Sequence, residues 1–588
     1  MRSQKRGAAL SSVVAGMLLI FGNSLGSTAG ASATLPDVCT AGFHPVAMPD
    51  PTGAVRGLSV ASDTDVWAVG NTGDNDASQQ PTATADHWDG TAWTTAVVPH
   101  RGVATSLSSV VALSATDAWA VGYAGRSAWD PPSQAPLIAH WDGSTWDTVA
   151  QPVGQGALTA VAARGPSDVW AVGHAWTSTP QGGYGHEAPI VEHWDGSSWQ
   201  AASAGPAEVA FYSASIDATG NLLAVGYTYN PSQGVASAVV YRYDGQTWQL
   251  EPVSVPGATS SYLWGVATSP NGEAWAVGRK FVGNQSALIV HWDGAVWSEV
   301  PTPSLPVTVP TYGGNELRSV SANSAHDVWA VGYNVVGAGG PYGPATHTLI
   351  EHWDGSTWSL ANAPRSDDQS EQAGHTGLEA VSTLPNGRVW VAGHVNTPTV
   401  VPIAETLCEV NVTATGFAPA RTSADVAATV AWRFPTTNTG WREIRDGSVM
   451  RLFDSGRRSP GDSFTFTPPG AGTYFPVDVR SGRAGTLEVG MTAVVNSASD
   501  IYVRWGFAQA AADCACFYEV QVRVPGSHAF VPFQPADTGT GWFQAPTATQ
   551  PGIHWVPSDG PGMYQFRSRY HSGPGTTGWS PTLSVEIS

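Results

Sequence analysis

The stretch Asp65-Val66-Trp67-Ala68-Val69-Gly70 decides the fold of this chain, because it returns at regular intervals. Close copies surround Trp119, Trp170, Trp275 and Trp329, and divergent copies occupy 222–226 and 389–393. Successive copies lie 51 to 61 residues apart. Repetition at such a period indicates an architecture built from one repeated supersecondary unit.

A second half-motif, His-Trp-Asp-Gly-x-x-Trp, follows the first and is seen at 140–146. It recurs around Trp88, Trp194, Trp292 and Trp353, and in altered form at 243–248. The Asp-Gly pair predicts a tight hairpin turn, since glycine adopts positive φ at no steric cost. The chain therefore carries seven first halves and six second halves.

Each unit is interpreted as four short strands: an alternating run, a turn, the Trp-Ala-Val-Gly strand, a long loop, and an Asp-Gly hairpin. Four-stranded units at this spacing are typical of a β-propeller, whose blades stack on one another around an axis. The sequence predicts an all-β protein with a seven-bladed propeller over 34–408, followed by two β-sandwich domains.

The seventh second half is missing, which predicts how the ring closes. Residues 403–410 have the pattern of a third strand without its hairpin, and 43–49 have the pattern of a fourth strand. We expect the N-terminal strand to complete the last blade. Cys39 and Cys408 would then lie side by side, and an exported protein permits a disulfide there.

The N-terminus has the features of an export signal. Arg2, Lys5 and Arg6 precede an apolar run at 8–21, and Ala31-Ser32-Ala33 is a cleavage site, so residues 1–33 are predicted to be removed. A secreted, extracellular protein is the expectation. No later segment has 18 continuous apolar residues, so we expect no membrane insertion.

Composition excludes several classes of function. The chain has 588 residues, more than one core of roughly 250–300 residues accommodates. Its formal net charge is −20, and its only lysines are Lys5 and Lys280. Nucleic-acid binding needs Lys and Arg to neutralise phosphates, so no nucleic-acid partner is expected. Polybasic attachment to a membrane is excluded for the same reason, and a monomer is expected.

The repeat region resembles secreted bacterial propellers of the galactose-oxidase/kelch-like and Asp-box kind. The segment Asp142-Gly143-Ser144-Thr145-Trp146 is one residue shorter than the Asp-box pattern of sialidases, and their Arg-Ile-Pro signature is absent from the chain. The resemblance implies the fold and does not imply sialidase activity.

Residues 409–490 resemble a cupredoxin through 416–419, 430–434, 459–466 and 472–474. A blue-copper site needs two His and one Cys. No His lies between His394 and His528, and no Cys lies between Cys408 and Cys514. We therefore expect a copper-free β-sandwich and no cofactor in the chain.

Residues 491–588 resemble a fibronectin type III module. Trp505 matches the buried Trp of its second strand, Tyr564 the tyrosine corner, and Trp579 the final turn. Among the possible cysteine pairings, Cys39–Cys408 with Cys514–Cys516 is the most economical. Ligand spacing for a metal is absent, so no metal site is predicted.

The recurring His residues of the second half-motif could suggest a catalytic role, but their repetition in five blades favours a structural role. They are His87, His140, His193, His291 and His352. The aspartates that follow are interpreted as turn residues. The sequence predicts no catalytic residue.

Topology separates two faces of the propeller. The two tight turns of each blade lie on one face (the turn face), and the long loops lie on the other (the loop face). Because binding usually resides on loops held by a rigid scaffold, we predict a ligand site on the loop face. Its candidate aromatic residues are Trp129, Trp176, Tyr184, Tyr229, Tyr312 and Tyr342.

Two classes of function fit these features. The favoured one is a secreted, non-enzymatic binding or adhesion protein whose partner is an extracellular polysaccharide, most simply a neutral one, or a protein surface. The alternative is an extracellular carbohydrate-active enzyme, a glycosidase or lyase. A glycosidase would bring two carboxylates about 5–10 Å apart near the centre of the loop face.

Overall fold

A computed structural model describes most of the chain from residue 40 onward, and it is built from strands with no α-helix in that part. The described residues are 40–46, 48–49, 53–62, 64–72, 80–99, 104–126, 133–178, 184–202, 208–303, 314–335, 346–361, 376–384, 388–396, 400–418, 420–425, 430–435, 437–497, 500–506, 516–534, 542–544, 552–557 and 560–587.

Among the described residues, units of four antiparallel strands repeat and are named blades 1 to 7 from the N-terminus. Five of them are separate four-stranded sheets, blade 5 lies in a five-stranded sheet, and blade 7 lies in a ten-stranded sheet. The strands of the first three blades are Ala54–Ser62, Asp65–Thr72, Thr82–Trp88 and Trp93–Ala96; Ala104–Ser114, Asp117–Gly125, Ala135–Trp141 and Trp146–Thr148; Ala157–Gly165, Asp168–Ser178, Tyr184–Trp194 and Trp199–Ala201.

Blades 4 to 6 repeat the same order, and blade 5 gains a short parallel edge strand, Val253–Ser254. Blade 7 takes its fourth strand from the N-terminus. The strands of blades 4 to 7 are Val209–Ile216, Leu222–Asn230, Val235–Tyr243 and Trp248–Glu251; Ser260–Thr268, Ala274–Val282, Asn284–Trp292 and Trp297–Glu299; Glu316–Ser324, Asp327–Val335, Thr346–Trp353 and Trp358–Ala361; Thr376–Thr383, Val389–Asn396, Val400–Thr413 and Thr40–Pro45.

The N-terminal strand closes the ring, as the sequence predicted. Thr40–Pro45 pairs antiparallel with the third strand of blade 7, with Gly42 opposite Cys408 and Phe43 opposite Leu407. The first strand of each blade contacts the first strand of the next, and that of blade 7 contacts that of blade 1. These first strands surround the axis and are called the inner strands.

Tryptophans hold neighbouring blades together. Trp67 of blade 1 is completely buried and packs against Trp141 and Trp146 of blade 2, with ring centroids 4.9 and 5.1 Å apart. Trp390 of blade 7 contacts Trp88 and Trp93 of blade 1 in the same way. Large aromatic surfaces are buried between blades because one blade cannot cover both of its faces alone.

The recurring His residues have the structural role that was predicted. His140 Nε2 lies 2.9 Å from Asp117 Oδ1, and its ring packs on Trp119 with centroids 4.2 Å apart. His87, His193 and His352 pair with an Asp in the same way, and His291 pairs with Glu273. Each pair ties the second strand of a blade to the third.

The motif aspartates shape their turns, also as predicted. Asp142 Oδ1 accepts hydrogen bonds from the backbone N–H groups of Ser144 and Thr145, both at 2.8 Å. These bonds, led by the one from Thr145, lower the pKa of Asp142 below its usual value. Gly143 follows at φ +95°, the left-handed region that glycine tolerates.

The predicted boundary at 408/409 falls inside one continuous strand. Val400–Thr413 pairs with blade 7 through its first half and with Gly416–Ala418 and Val430–Arg433 through its second half. The N-terminal strand also pairs parallel with Arg421–Asp425. Two strands therefore join the propeller directly to the region that follows it.

The remaining chain forms two sets of sheets. Within 409–490 the other strands are Gly416–Ala418, Arg421–Asp425, Val430–Arg433, Ile444–Asp446, Ser463–Phe466, Gly472–Tyr474, Pro476–Asp478, Arg483–Ala484 and Thr486–Gly490. After 490 they are Thr492–Ser497, Asp500–Arg504, Cys516–Arg523, Val531–Pro532, Trp542–Gln544, Gly552–Trp555, Gly562–Ser572, Gly575–Thr576 and Leu583–Ile587.

The C-terminal set packs a three-stranded sheet and a six-stranded sheet around the buried Trp505. Tyr564 is also completely buried, and its hydroxyl donates to the carbonyl of Gly560 at 2.7 Å, the bond expected of a tyrosine corner. The set contacts the preceding region where Thr473 Oγ1 donates to the Trp579 carbonyl at 2.7 Å.

The predicted disulfides fall largely on residues that the structure does not describe. Cys39, Cys514 and the side chain of Cys408 lie outside the described residues. Cys516 is disulfide-bonded, and both pairings stay predictions. No helix in the described part of the chain is long and apolar enough to cross a membrane.

Candidate functional site

The structure locates the predicted loop-face residues only in part. Tyr229 lies near the loop-face end of the second strand of blade 4 and is 46% exposed. Trp176 and Tyr184 lie on the two long middle strands of blade 3, but their side chains are outside the described residues, as are Trp129, Tyr312 and Tyr342 entirely.

The described residues point instead to the loop-face ends of the inner strands. Each inner strand carries a β-bulge at the same place, where the register with the second strand passes over one residue in every blade. A bulge re-aims a side chain and is common next to functional sites. The bulged residues, called the axial ring, are Arg56, Ser108, Thr159, Tyr212, Trp264, Arg318 and Glu379.

The repeated glycine of Trp-Ala-Val-Gly makes this bulge possible. A Cβ placed on Gly332 would lie 1.9 Å from the backbone oxygen of Glu316, two residues before the bulged Arg318. The equivalent glycines of the other six blades show the same conflict, at 1.8 to 2.1 Å. Only glycine lets the second strand approach the inner strand this closely.

The residue after each bulge is small and joins neighbouring inner strands. Ser109, Ser213 and Ser319 accept hydrogen bonds through Oγ from backbone N–H groups of the next blade, at 3.2 to 3.3 Å. Gly57 and Gly265 occupy the same position where the next blade lies against the backbone. The inner strands are thus held together beneath the bulged side chains.

The side chains of the axial ring are all half-buried, and successive members contact each other through blades 4 to 7. The rings of Tyr212 and Trp264 lie 4.6 Å apart, and Arg318 Cζ lies 5.4 Å from the Trp264 ring. Arg318 Nε lies 3.9 Å from Glu379 Oε2. The ring therefore has an aromatic arc that leads into a charged one.

Further aromatic and basic residues surround this arc. Tyr227 contacts Tyr212 and Trp264, and Tyr262 stacks on Trp264 with centroids 5.5 Å apart. Arg279 Cζ lies 4.7 Å from the Tyr262 ring. We call this group the aromatic–arginine cluster; its members are Tyr212, Tyr227, Tyr262, Trp264, Arg279 and Arg318.

Glu316 holds the two arginines in place. Its carboxylate is completely buried and accepts hydrogen bonds at Oε2 from Arg279 Nη1 and from the Tyr333 hydroxyl, both at 2.9 Å. Arg318 Nε lies 3.0 Å from Oε1 as an ion pair, without the geometry of a hydrogen bond. Gln285 Nε2 donates from 3.4 Å.

The protonation states in the cluster follow from this arrangement. Burial, and then the charge of Glu316, raise the pKa of Tyr333 to about 12, so its hydroxyl keeps its proton at neutral pH. Burial alone would lower the pKa of Arg318, but the carboxylates of Glu379 and Glu316 raise it above its usual value. The cluster therefore presents fixed cations.

Sequence reasoning missed the axial ring although its signal was present. In every inner strand the bulged residue stands between a buried apolar residue and a small one, as in Leu263-Trp264-Gly265 and Leu317-Arg318-Ser319. It is the one position of that strand that changes between cationic, hydroxyl, aromatic and acidic side chains. The loop-face candidates come from the longest loops rather than from variation inside a repeated strand, and they stay a prediction.

Among the described residues no group of three or more His, Cys, Asp or Glu side chains is placed to hold a metal ion.

Comparison with known proteins gives distant likenesses to solved structures. No protein-family model and no curated protein matches the sequence. A streptogramin B lyase structure is similar, with a TM-score of 0.40 and 11% identity over 62% of this chain and 97% of that one.

An ulvan lyase of polysaccharide lyase family PL25, bound to an oligosaccharide, gives a TM-score of 0.37 and 11% identity over 63% and 94% of the two chains. A mutant Aleuria aurantia lectin with bound Fucα1-6GlcNAc gives a TM-score of 0.32 and 14% identity, over 54% of this chain and 98% of that one. At these TM-scores and identities the likenesses carry no argument about fold or function.

Proposed function

We propose that this protein is a secreted, non-enzymatic binding protein whose propeller binds a polysaccharide at the axial end of the loop face. The aromatic–arginine cluster carries the proposal. Half-buried rings at Tyr212, Tyr262 and Trp264 offer flat apolar surface on which the C–H faces of sugars stack. The arginines supply donors for sugar oxygens beside those rings.

The domain arrangement supports a ligand on the loop face. The region after the propeller contacts blade 6 at its turn face, where Arg458 Nη2 lies 2.9 Å from Asp354 Oδ2 and His326 Nδ1 lies 2.6 Å from Asp462 Oδ1. Both contacts are at the end of the blade opposite the aromatic–arginine cluster. The cluster is not covered by them.

We further propose that 409–490 and 491–588 serve as accessory modules of cupredoxin-like and fibronectin type III-like fold. The missing copper ligands leave the first module without redox chemistry of the blue-copper kind. Export with removal of 1–33 would place the whole assembly outside the cell, where polysaccharides are the abundant ligands.

Substitution in the axial ring tests the proposal. The mature chain and its Trp264→Ala and Tyr212→Ala variants are applied to an array of polysaccharides and to extracellular proteins. We expect the protein to bind one class of polysaccharide. Its affinity should fall at least tenfold in both variants, since each loses about 1–3 kcal/mol of stacking free energy. Trp194→Ala, at the turn face, is the matched control and leaves binding unchanged.

Retention of polysaccharide binding by both axial variants would contradict the site. Capture of a protein in place of any polysaccharide would contradict the ligand class, because Trp and Tyr are also frequent anchors of protein interfaces.

One observation favours a second candidate, an enzyme acting on carbohydrate. Glu316 and Glu379 both lie within 4 Å of Arg318 Nε, so two carboxylates converge near the axis. Glu316 is completely buried beneath its donors, which leaves Glu379 as the residue able to reach a substrate. Release of reducing ends from a bound polysaccharide, abolished in Glu379→Gln, would favour the enzyme over the binding protein.

A further inference from the structure

We infer that the polysaccharide bound by the aromatic–arginine cluster carries carboxylates, so that its repeating unit contains a uronic acid. The inference rests on the proposed function and adds the chemical class of the ligand. It departs from the expectation of a neutral ligand, and it holds although the net charge of the chain is −20. A net charge describes the whole surface, whereas a ligand meets only the charges at its site.

The burial of Glu316 determines the sign of the charge that the site presents to a ligand. The carboxylate has no exposed surface, while the side chains of Arg279 and Arg318 keep 27% and 31% of theirs. The negative end of the ion-paired group therefore faces the interior of the blade, and the positive ends face the ligand. A carboxylate placed beneath two guanidinium groups also fixes their orientation before any ligand arrives, which lowers the entropic cost of binding.

The aromatic rings strengthen the interaction with an anion. Arg279 Cζ lies within 5.6 Å of the ring centroids of Tyr262, Trp264 and Phe281. Those rings exclude water from the flanks of the guanidinium, and charge-assisted hydrogen bonds are stronger where water is excluded. A guanidinium donates two parallel N–H···O bonds to a carboxylate, a geometry that a lysine ammonium cannot match.

The distances suit a single acidic sugar residue. A uronic acid carries a C–H face and a carboxylate on the same ring, only a few ångströms apart. In the cluster, the Arg318 guanidinium lies over the half-buried Trp264 ring, with Cζ 5.4 Å from the ring centroid, so an aromatic ring and a cation are adjacent. One residue of the ligand can therefore use both features at once.

The carboxylate of Glu379 weakens the binding of anions at the site. It is the acidic member of the axial ring and faces the Arg318 Nε from 3.9 Å. Arg56, the basic member on blade 1, is adjacent to blade 7 across the ring closure. An incoming carboxylate has to compete with Glu379 for Arg318, so the removal of that charge is expected to tighten binding of an acidic chain.

The test compares acidic polymers with their own carboxyl-reduced forms. Polygalacturonate, alginate and hyaluronan are each titrated against the mature protein by calorimetry, beside the same polymers after reduction of the carboxylates to alcohols. We expect at least one acidic polymer to bind ten times more tightly than its reduced form, and we expect this preference to fall as salt is raised. Arg279→Gln and Arg318→Gln should each abolish the preference.

Two further variants guard against trivial outcomes. Arg164→Gln removes an exposed Arg–Asp pair at the turn face of blade 3 and is the matched control. Glu379→Gln leaves both arginines in place and should raise affinity for the acidic polymer threefold or more, with no change for the reduced form. A gain of affinity cannot result from misfolding.

Equal affinity for the acidic and reduced forms, unaffected by Arg318→Gln, overturns the inference and leaves the proposed function standing. Failure of the folded protein to bind either form of all three polymers counts against the proposed function itself.

Discussion

The turn face and the loop-face end of the axis are built from the same repeated blade, but the side chains recur at the first and vary at the second. At the turn face one arrangement recurs, a His beside a carboxylate and an Asp-bound turn, as at His140, Asp117 and Asp142 of blade 2. At the axial ring the backbone recurs, with a bulge in every blade, but the bulged side chain is basic, hydroxylated, aromatic or acidic. The repeated positions build the scaffold, and the varied position makes one end of it chemically asymmetric.

In blade 6 the turn-face motif also binds the region that follows the propeller, with no change in its residues. Its Asp327–His352 pair has the same geometry as the pair in blade 2, yet both side chains are completely buried. Arg433 Nη2 lies 2.5 Å from Asp327 Oδ2, and Ser463 Oγ lies 3.2 Å from Oδ1. The region after the propeller docks on a motif that remains half-exposed in blades 1 to 3.

The largest effect is expected at that docking site. Burial alone would raise the pKa of Asp327, but Arg433 and then His352 hold it well below its usual range, so the carboxylate stays ionised. Arg433→Ala leaves this charge buried without its cation, and should lower the free energy of unfolding by about 3–5 kcal/mol. Denaturant titration measures it.

His140→Ala is the matched control, because it breaks the half-exposed pair of blade 2 and should cost less than about 1 kcal/mol. Equal costs for the two variants would mean that burial under Arg433 does not distinguish blade 6.

A second strong effect concerns Glu351, which lies on the third strand of blade 6. Its side chain is completely buried, neither carboxylate oxygen has a hydrogen-bond partner, and burial raises its pKa from 4.5 to about 8. The unfolded chain loses this proton above pH 4.5 while the folded chain keeps it, so stability falls as pH rises from about 4.5 to 8.

Glu351→Gln removes that dependence. Relative to the variant, the native chain should lose about 3–4 kcal/mol between pH 4.5 and pH 8, at roughly 1.4 kcal/mol for each pKa unit. Parallel pH profiles of native chain and variant would contradict this. Leu250→Ala, at an exposed position, should leave the profile as it is.

The contrast between repeated and varied positions can be tested within one propeller. Gly332→Ala places a Cβ 1.9 Å from the Glu316 oxygen and should destabilise the protein by about 3 kcal/mol, an overpacking cost. Ser108→Ala, at the bulged position of blade 2, should change stability by less than about 0.5 kcal/mol. Thermal unfolding of both variants measures the two losses of stability. A larger loss in Ser108→Ala than in Gly332→Ala would contradict the contrast between repeated and varied positions.

The smallest effect is expected at the margin of the site. Tyr229 lies two residues beyond Tyr227 on the same strand, and alternate residues of a strand share a face. Its exposure makes it an outer contact, so Tyr229→Ala should weaken polysaccharide binding about two- to threefold with no loss of stability. A loss as large as that of Trp264→Ala would move the centre of the site from the axis to the loops.

The sequence predicted the repeated part of the molecule well, because the Trp-Ala-Val-Gly strand and the Asp-Gly hairpin fix local structure wherever they occur. It also predicted that Phe43 and its neighbours close blade 7, since the count of half-motifs required one more strand. These features depend on short segments and on their number.

The site could not be predicted in the same way. Nothing in a single strand reveals that Arg279 and Tyr333 from neighbouring strands converge with Arg318 on one buried Glu316. The use of Val400–Thr413 by two domains was equally hidden, because the alternating pattern that indicates a strand does not state which partners it takes.

The axial binding site is tested most directly by a crystal structure of the mature protein with a bound hexasaccharide of galacturonic acid. The account predicts sugar density at the loop-face end of the axis, with one ring stacked on Trp264 and its carboxylate paired with Arg318 or Arg279. Density confined to the turn face, or to the two domains after residue 408, would contradict it.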